Sequence, residues 1–152
     1  MFIGLMQINI KKNHPDAVIP SYAKAGDAGM DLTAVSKEAG SNYIEYDTGL
    51  ALEIPPGFVG LIFPRSSVYK TGQVLSNCVG VIDSGYRGNV KVKFYTEHTT
   101  VAGQSYVKGE VYKVGDRVAQ LIILPYPQVL FKEVNELSLT ERGEGGFGST
   151  GN

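Results

Sequence analysis

The chain of 152 residues is poor in the residue types through which enzymes use metals or thiols. It has two histidines and a single cysteine, Cys78, which excludes an internal disulfide and is typical of a reducing cytoplasm. Nothing near Cys78 suggests an activating base, so we expect a small buried residue there. The motifs GxxxxGK[ST], CxxC, HExxH and GxSxG are all absent. If the protein is an enzyme, its reaction must depend on carboxylates, hydroxyls and arginines. That combination suits phosphate chemistry.

Charge imbalance and long apolar runs are also lacking. The formal net charge of −1 gives no global basic field for nucleic acid or an anionic membrane, so any anionic ligand must be held by local placement. No apolar run approaches the roughly 20 residues that span a membrane. The first ten residues, MFIGLMQINI, lack the basic segment of a secretory signal. These absences predict one cytoplasmic domain that binds neither nucleic acid nor membrane.

Glycine and proline are abundant, and they separate runs rich in Val, Ile, Tyr and Phe. In residues 90–94 apolar side chains alternate with lysines, which is the two-residue period of a half-buried strand. Residues 50–54 and 58–63 are two strand-like runs joined by a Pro-Pro-Gly turn signal. Residues 118–124 are apolar on both faces except for Gln120, and they predict a central, fully covered strand.

Many short strands separated by turns predict an all-β sandwich or barrel. One short helix is expected after Pro64, over Ser66–Lys70. The polar, glycine-rich residues 135–152 read as an arm, which leaves residues 1–134 as the folded domain.

Two polar segments near predicted strand ends could bind phosphate. Asp31, in AGDAGMDL, lies between apolar residues and could serve a ligand or bond backbone amides. The segment PRSS brings Arg65 and two hydroxyls to the end of a strand, where they could grip phosphate or form an ordinary turn.

Two further segments place polar groups among apolar residues. In NCVGVIDSGYRG, a hairpin could hold Asp83 in a dry pocket beside the Tyr86 ring, or could simply carry the aspartate in its turn. In GDRVAQL, Gln120 needs a hydrogen-bond partner, which could be backbone or ligand.

The chain ends in RGEGGFGSTG, half of which is glycine. Consecutive glycine N–H groups can form a nest for phosphate oxygens. Arg142, Ser149 and Thr150 add donors, and Phe147 offers a flat face for a base. The alternative is a disordered tail.

Taken in order, five segments resemble the five motifs of the trimeric dUTPases, the deoxyuridine triphosphate nucleotidohydrolases. They are AGDAGMDLTA, PRSSV, NCVGVIDSGYRG, GDRVAQLIILP and RGEGGFGSTG. The resemblance implies a jelly-roll β subunit with a flexible arm, assembled as a homotrimer. It implies hydrolysis of dUTP to dUMP and pyrophosphate with Mg²⁺, which keeps uracil out of DNA and supplies dUMP for thymidylate synthesis. Each active site would combine motifs one, two and four from one chain, motif three from a second and the tail from a third.

The resemblance also implies roles for individual residues. Asp83 would activate the attacking water, Ser66 would lie near the α–β bridging oxygen, and Gln120 would hold a phosphate or the water. Asp31 would order the water shell of the metal. Tyr86 would pack under the deoxyribose, and Phe147 would stack on uracil. The full set of implied substrate-binding residues is Arg65, Ser66, Ser67, Asn77, Gly80, Val81, Ile82, Asp83, Tyr86, Lys93, Gln120, Arg142, Phe147, Gly148, Ser149 and Thr150.

Residues 97–109 are longer than the usual connection between the third and fourth motifs, and we expect an extended loop or hairpin there. Two other functions stay open at this point. One is a dCTP deaminase-like enzyme of the same fold, which lacks a tail of this type. The other is a nucleotide-gated regulatory binding module, for which the long 97–109 segment is the sole support.

Overall fold

Two antiparallel sheets and a separate hairpin make up most of the regular structure, given by a computed structural model that describes residues 5–146. The strands are β1 (Asn9–Lys12), β2 (Met30–Thr33), β3 (Ser36–Ala39), β4 (Tyr43–Glu53), β5 (Phe58–Pro64), β6 (Gln73–Leu75), β7 (Gly80–Ile82), β8 (Asn89–Thr96), β9 (His98–Val101), β10 (Gln104–Val107) and β11 (Arg117–Pro125). A short 3₁₀ helix covers Ser66–Lys70, as predicted. The all-β class is confirmed.

The larger sheet has the order β1-β4-β8-β6, with β3 also paired to β4. The long strand β4 pairs with β3 through its first half and with β1 through its second half. The smaller sheet has the order β2-β11-β5-β7. Within residues 5–146, no helix is long and apolar enough to cross a membrane.

The core lies between the inner faces of the two sheets. Leu32, Ile62 and Leu121 come from the smaller sheet, and Val92 and Phe94 come from β8 of the larger one. In β8 the valines and phenylalanine are buried while the intervening lysines are exposed, so the predicted alternation is confirmed. The predicted sandwich follows, because each sheet buries one face against the other.

Two pairs of aromatic rings, which share Tyr46, pack edge to face within this core. The Tyr46 centroid lies 5.9 Å from that of Phe94 and 6.1 Å from that of Tyr112. Gln73 is buried beside them, donating from Nε2 to the Tyr46 hydroxyl and accepting from the Tyr112 backbone N–H. The buried amide is therefore satisfied on both sides, as buried polar groups require.

Strand β11 is central, between β2 and β5, but the prediction that it is fully covered was wrong. Ile122 and Ile123 are half-buried and Leu124 is 43% exposed. The apolar run therefore continues beyond the part of the strand that the sandwich covers.

The expected extension at residues 97–109 is a hairpin of β9 and β10. Its two-residue turn is Ala102-Gly103, and both residues have positive φ, 50° and 80°. Such a turn matches the twist of the flanking strands.

Two predictions near residue 80 were wrong. Strands β7 and β8 do not form a hairpin, because β7 pairs with β5 in one sheet and β8 pairs with β4 and β6 in the other. Residues 83–88 instead cross from one sheet to the other. Cys78 is exposed rather than buried, because it lies in the turn before β7 with a φ of 60°.

Candidate active site

Asp31, Arg65 and Arg117 form a cluster of ion pairs at the end of the smaller sheet. The two carboxylate oxygens of Asp31 accept from separate arginines, Oδ1 from Arg65 Nε at 2.9 Å and Oδ2 from Arg117 Nη1 at 3.2 Å. Asp31 and Arg65 are each about a quarter exposed. Asp31 thus bonds arginine side chains, where the sequence suggested backbone amides or a ligand. The aspartate fixes two cations that face solvent.

Strand pairing brings the second and fourth motifs to the first. Gln120 of β11 lies opposite Asp31 of β2 on one side and Phe63 of β5 on the other. Its Nε2 donates to the Pro64 carbonyl at 3.0 Å, so the partner it needs is backbone. A Cβ at Gly29 would lie 2.5 Å from Gln120 Oε1, so a larger residue there would displace the Gln120 amide from this position.

The phosphate-binding candidates of the second motif lie beside this cluster. Arg65 Nη1 donates to Ser67 Oγ at 3.5 Å and to the Arg117 carbonyl at 3.3 Å. Ser66 begins the 3₁₀ helix and is exposed. A cavity of about 360 Å³ opens beside Asp31 and Gln120, and Asp27 adds to its polar lining. We call Asp31, Arg65, Ser66, Ser67, Arg117 and Gln120 the arginine cluster.

The third motif lines a different cavity, of about 200 Å³. Its predicted residues Asn77, Gly80, Val81, Ile82, Asp83 and Tyr86 all line this space. The Tyr86 hydroxyl donates to the Asn89 carbonyl at 3.0 Å. A Cβ at Gly88 would lie 2.5 Å from the Tyr86 hydroxyl oxygen, so the close approach needs glycine. We call this space the Asp83 cavity.

The Asp83 cavity is not the dry pocket that the sequence suggested, because the Asp83 side chain is exposed. The reason is the crossing between sheets, which carries residues 83–88 to the rim of the sandwich. Within residues 5–146, the cavity that Asp83 lines does not include Gln120, and the cavity of about 360 Å³ that Gln120 lines does not include Asp83. The described chain therefore holds the predicted site residues as two separate groups.

An ion-pair network borders the Asp83 cavity. Glu45 accepts from Lys91 Nζ at 2.8 Å and from Lys93 Nζ at 3.1 Å. The hydrogen bond from Lys91 lowers the pKa of the Glu45 carboxyl, and the same bond raises the pKa of Lys91. Lys91 lines the cavity, whereas the predicted Lys93 lines an adjoining one with Asn77 and Gly80.

Only part of the C-terminal motif lies within the described residues. Arg142 is exposed, and its Nε donates to the Gly145 carbonyl at 2.9 Å. Phe147, Gly148, Ser149 and Thr150 lie outside the described residues. Residues 5–146 hold no group of three or more His, Cys, Asp or Glu side chains that could ligate a metal ion.

The family model for dUTPase matches residues 15–151, nearly the whole chain. The chain belongs to the dUTPase family. One curated relative, a deoxyuridine 5'-triphosphate nucleotidohydrolase from Clostridium kluyveri, is 42% identical over 151 residues, covering 96% of this chain and 99% of that protein. The relative of the same name from Escherichia phage T5 is 40% identical, with 95% and 98% covered.

Solved dUTPase structures share the fold, which identifies the sandwich as a jelly roll. The dUTPase of Staphylococcus bacteriophage 80alpha with dUpNHpp aligns with a TM-score of 0.78 and 30% identity, covering 96% of this chain and 99% of that one. A dUTPase variant from phage phi11 of S. aureus, solved with a structural Mg(II) ion, aligns with a TM-score of 0.67 and 26% identity, covering 86% and 98%.

Sequence reasoning missed three residues at these sites. Arg117 was quoted within the fourth motif without a role, although it pairs with Asp31. Asn89 and Lys91 line the Asp83 cavity. The sequence could have indicated both residues, because they occupy alternate positions of β8 directly after the third motif.

Proposed function

We propose that this chain hydrolyses dUTP to dUMP and pyrophosphate by attack of water on the α-phosphorus. The observation that carries the proposal is the dUTPase family match over residues 15–151, with 42% identity to a full-length nucleotidohydrolase of that name. Removal of dUTP would keep uracil out of DNA, and dUMP would supply thymidylate synthesis. We place this activity in the cytoplasm, as the single cysteine suggests.

The Asp83 cavity would receive the nucleoside. Asp83 would take a proton from the attacking water, a role that requires an ionised carboxylate open to the site. The Tyr86 ring, held by its bond to Asn89, would occupy the space of a 2′-hydroxyl. Asn77 and the backbone of Gly80–Ile82 would read the uracil edge, with Lys93 nearby.

The arginine cluster would bind the triphosphate. Arg65 and the hydroxyls of Ser66 and Ser67 would contact phosphate oxygens, and Gln120 would orient a phosphate or the water. The support is the fixed position of Arg65, because a cation already held in place needs no reorganisation as charge moves to pyrophosphate.

Magnesium would be held mainly by the triphosphate. The donor set fits this arrangement: Asp31 keeps free lone pairs for a water molecule although two arginines occupy it, and residues 5–146 offer no carboxylate cage. When bound, the ion would neutralise charge on the phosphates. Asp31 would orient one water of its shell. Removing the ion with a chelator is expected to abolish pyrophosphate release, and added Mg²⁺ to restore it.

We propose a homotrimer in which neighbouring chains complete each site. One support is the separation of Asp83 from Gln120 into two cavities. A second is the stretch after β11, where Leu130 and Phe131 are each at least 91% exposed. Apolar side chains this exposed are typical of a protein interface.

We further propose that residues 1–134 act as the domain and 135–152 as its lid. Within 135–146 the chain forms no strand or helix, and its backbone hydrogen bonds are local turns such as Gly145 N to Arg142 O at 3.1 Å. Ordering such a glycine-rich stretch costs conformational entropy, so ligand contacts would have to hold it. Arg142, Ser149 and Thr150 would supply them at the γ-phosphate, with Gly148 between, and Phe147 at the base.

The activity is tested by measuring pyrophosphate release from dUTP, dTTP, dCTP and UTP in parallel. We expect release from dUTP alone at low enzyme concentration. Ammonia released from dCTP would favour the deaminase alternative, and equal rates on all four nucleotides would contradict the proposed specificity. A nucleotide-gated regulatory role stays a prediction.

Site sharing is tested by complementation. Chains truncated before Arg142 and full-length chains with Asp83→Asn are each expected to be inactive, and they are refolded together in equal amounts. With random mixing in a threefold ring, roughly a quarter of all sites combine an intact Asp83 with an intact tail from another chain. If mixed trimers form and the mixture stays inactive, the lid does not act in trans.

A further inference from the structure

The backbone carbonyl that holds Tyr86 belongs to a residue whose side chain is itself fixed at both ends. The Asn89 carbonyl accepts from the Tyr86 hydroxyl at 3.0 Å. Asn89 Nδ2 donates to Asp47 Oδ1 at 3.1 Å and to Asp47 Oδ2 at 3.2 Å. Asn89 Oδ1 accepts from Asn13 Nδ2 at 2.8 Å. The residue that begins β8 is therefore tied to two other segments of the chain, at the wall of the Asp83 cavity.

These hydrogen bonds close into a circle of four residues. Asp47 Oδ1 also accepts from the Gly49 N–H at 2.7 Å, and the Gly49 carbonyl accepts from the Asn13 N–H at 2.8 Å. Gly49 has a φ of 65°, and a Cβ there would lie 2.6 Å from the Cβ of His14, so a larger residue would be strained. We call Asn13, Asp47, Gly49 and Asn89 the Asp47 network.

The Asp47 network lies where the pairing of β4 with β8 is irregular. Lys91 lies opposite Asp47, but Asn89 lies opposite Ala51, so a step of four residues along β4 matches a step of two along β8. Such bulges interrupt the ladder, and beside active sites they re-aim side chains. The side-chain bonds of the network span this gap and fix the start of β8. The crossing that carries Tyr86 ends at this point.

We infer that Asp47 is a positioning residue that sets the selectivity for the sugar through Asn89 and Tyr86. This inference rests on the proposed function, in which the Tyr86 ring occupies the space of a 2′-hydroxyl. Tyr86 is 46% exposed, so packing alone does not fix its ring. Its hydroxyl bonds a carbonyl that the Asp47 network holds in place. Because such a site works only when its groups are held to within about 0.5 Å, a shift of this carbonyl would admit UTP.

A carboxylate suits position 47 because it only accepts hydrogen bonds. The Gly49 N–H and the Asn89 amide both donate to it. In Asp47→Asn, one oxygen becomes an NH2 group of similar size, which cannot accept from Asn89. The bond between the strands is lost with little change in volume, so the variant should fold with a lower melting temperature.

The network also allows an exchange variant that restores this bond. Asn89→Asp alone places two carboxylates face to face and should displace the carbonyl as Asp47→Asn does. In the double variant Asp47→Asn/Asn89→Asp, the amide at position 47 donates to the carboxylate at position 89. That carboxylate still accepts from Asn13, and the amide oxygen still accepts from the Gly49 N–H. The exchange therefore retains every contact of the network.

The measurement is the ratio of kcat/KM for dUTP to that for UTP. We expect this ratio to fall by about 3- to 5-fold in each single variant, the effect of one hydrogen bond, and to return to within about twofold of wild type in the exchange variant. The two nucleotides carry the same charge, so the charge that Asn89→Asp adds to the cavity cancels from the ratio.

Glu45→Gln is the matched control. Glu45 lies on the same strand as Asp47, its side chain is 16% exposed against 18% for Asp47, and both pair with Lys91. It accepts its hydrogen bonds from lysines and does not belong to the Asp47 network. Glu45→Gln should lower the melting temperature and leave the ratio unchanged. The control thus separates positioning from the loss of a half-buried carboxylate.

Tyr86→Phe tests the route from Asp47 to the sugar. It removes the hydroxyl that bonds the Asn89 carbonyl, so the ratio should fall by a similar factor. In that background Asp47→Asn should cause no further fall, whereas independent effects would multiply.

Several outcomes would overturn the inference in a chain whose wild type hydrolyses dUTP. They are an unchanged ratio in Asp47→Asn, an equal fall in Glu45→Gln, multiplied falls in Asp47→Asn/Tyr86→Phe, and an exchange variant that keeps the low ratio or does not fold. If Asp47→Asn itself does not fold, the ratio of the exchange variant decides. A wild-type chain that releases no pyrophosphate from dUTP would instead defeat the proposed function, and this inference with it.

Discussion

The arginine cluster and the Asp83 cavity differ in how far one chain builds them. In the cluster, the Asp31 carboxylate is held by two arginines and Gln120 by a backbone carbonyl. In the cavity, Asp83 is exposed and Tyr86 is 46% exposed. The side chains of the arginine cluster are thus fixed by contacts within the chain, whereas the residues that line the Asp83 cavity are open to solvent.

The difference has a physical basis. Adjacent cationic side chains repel one another, and here the Asp31 carboxylate and the Arg117 carbonyl hold them in place within one chain. In its proposed role, the wall of the Asp83 cavity would act on the base and sugar by exclusion, and a second surface could complete it. The comparison thus agrees with sites shared between chains.

The largest loss of activity should come from a substitution in the Asp83 cavity. Asp83→Asn keeps the shape but cannot accept the water's proton, so kcat should fall roughly 100- to 10,000-fold. Affinity for dUTP, measured by calorimetry, should stay within a few-fold. Asp16→Asn is a matched control, since that carboxylate is exposed and remote from the motifs. Near-normal turnover by Asp83→Asn would rule out Asp83 as the base.

The next largest effect should come from the arginine cluster. Arg65→Gln removes a cation that would stabilise charge on the departing pyrophosphate, and kcat should fall by about 100-fold. Lys108→Gln is the control, because Lys108 is an exposed cation paired with Glu97 on the hairpin. Stopped-flow pyrophosphate detection measures both variants. Equal activity of the two would mean that the organised cluster does not serve the phosphates.

Sugar selection should depend on the cavity wall. Tyr86→Ala opens space for a 2′-hydroxyl, so the ratio of kcat/KM for dUTP to that for UTP should fall by about tenfold. Tyr106→Ala, at a similarly exposed tyrosine of the hairpin, should leave the ratio unchanged. An unchanged ratio in Tyr86→Ala would move sugar discrimination to another residue.

The smallest effect concerns the ion pairs beside the cavity. The Lys91 hydrogen bond lowers the pKa of Glu45 below 4.5, so this stabilisation is present above that pH and is lost as the pH falls through the lower native pKa. Glu45→Gln should reduce the free energy of unfolding by less than about 1 kcal/mol at pH 7. Urea unfolding at pH 7 and pH 3 should show this deficit shrinking in acid. A deficit of equal size at both pH values would contradict the ion-pair origin.

Periodicity and turn residues predicted much of the local structure. The alternation in residues 90–94 predicted the faces of β8, and the residues after Pro64 predicted the 3₁₀ helix. These features are local, because side-chain spacing and proline geometry act within a few residues. The candidate site residues came from five ordered motifs. Such motifs identify residues, but they do not show which residues these contact in the fold.

The wrong predictions concern partners distant in sequence. The glycine-framed segment 80–88 has the composition of a hairpin, but the strands on either side of it join different sheets. Cys78 has a residue type that is usually buried, but it lies in an exposed turn. Composition cannot distinguish a turn within a sheet from a crossing between sheets, because both need the same residues.

The sequence by itself determined the all-β class, the family and the identities of the candidate site residues. Only the tertiary structure decided that Asp31 is bound by Arg65 and Arg117 and that Gln120 bonds the Pro64 carbonyl. These contacts join residues between about 30 and 90 positions apart. They depend on strand order and register, which the packing of two sheets selects and no local pattern encodes.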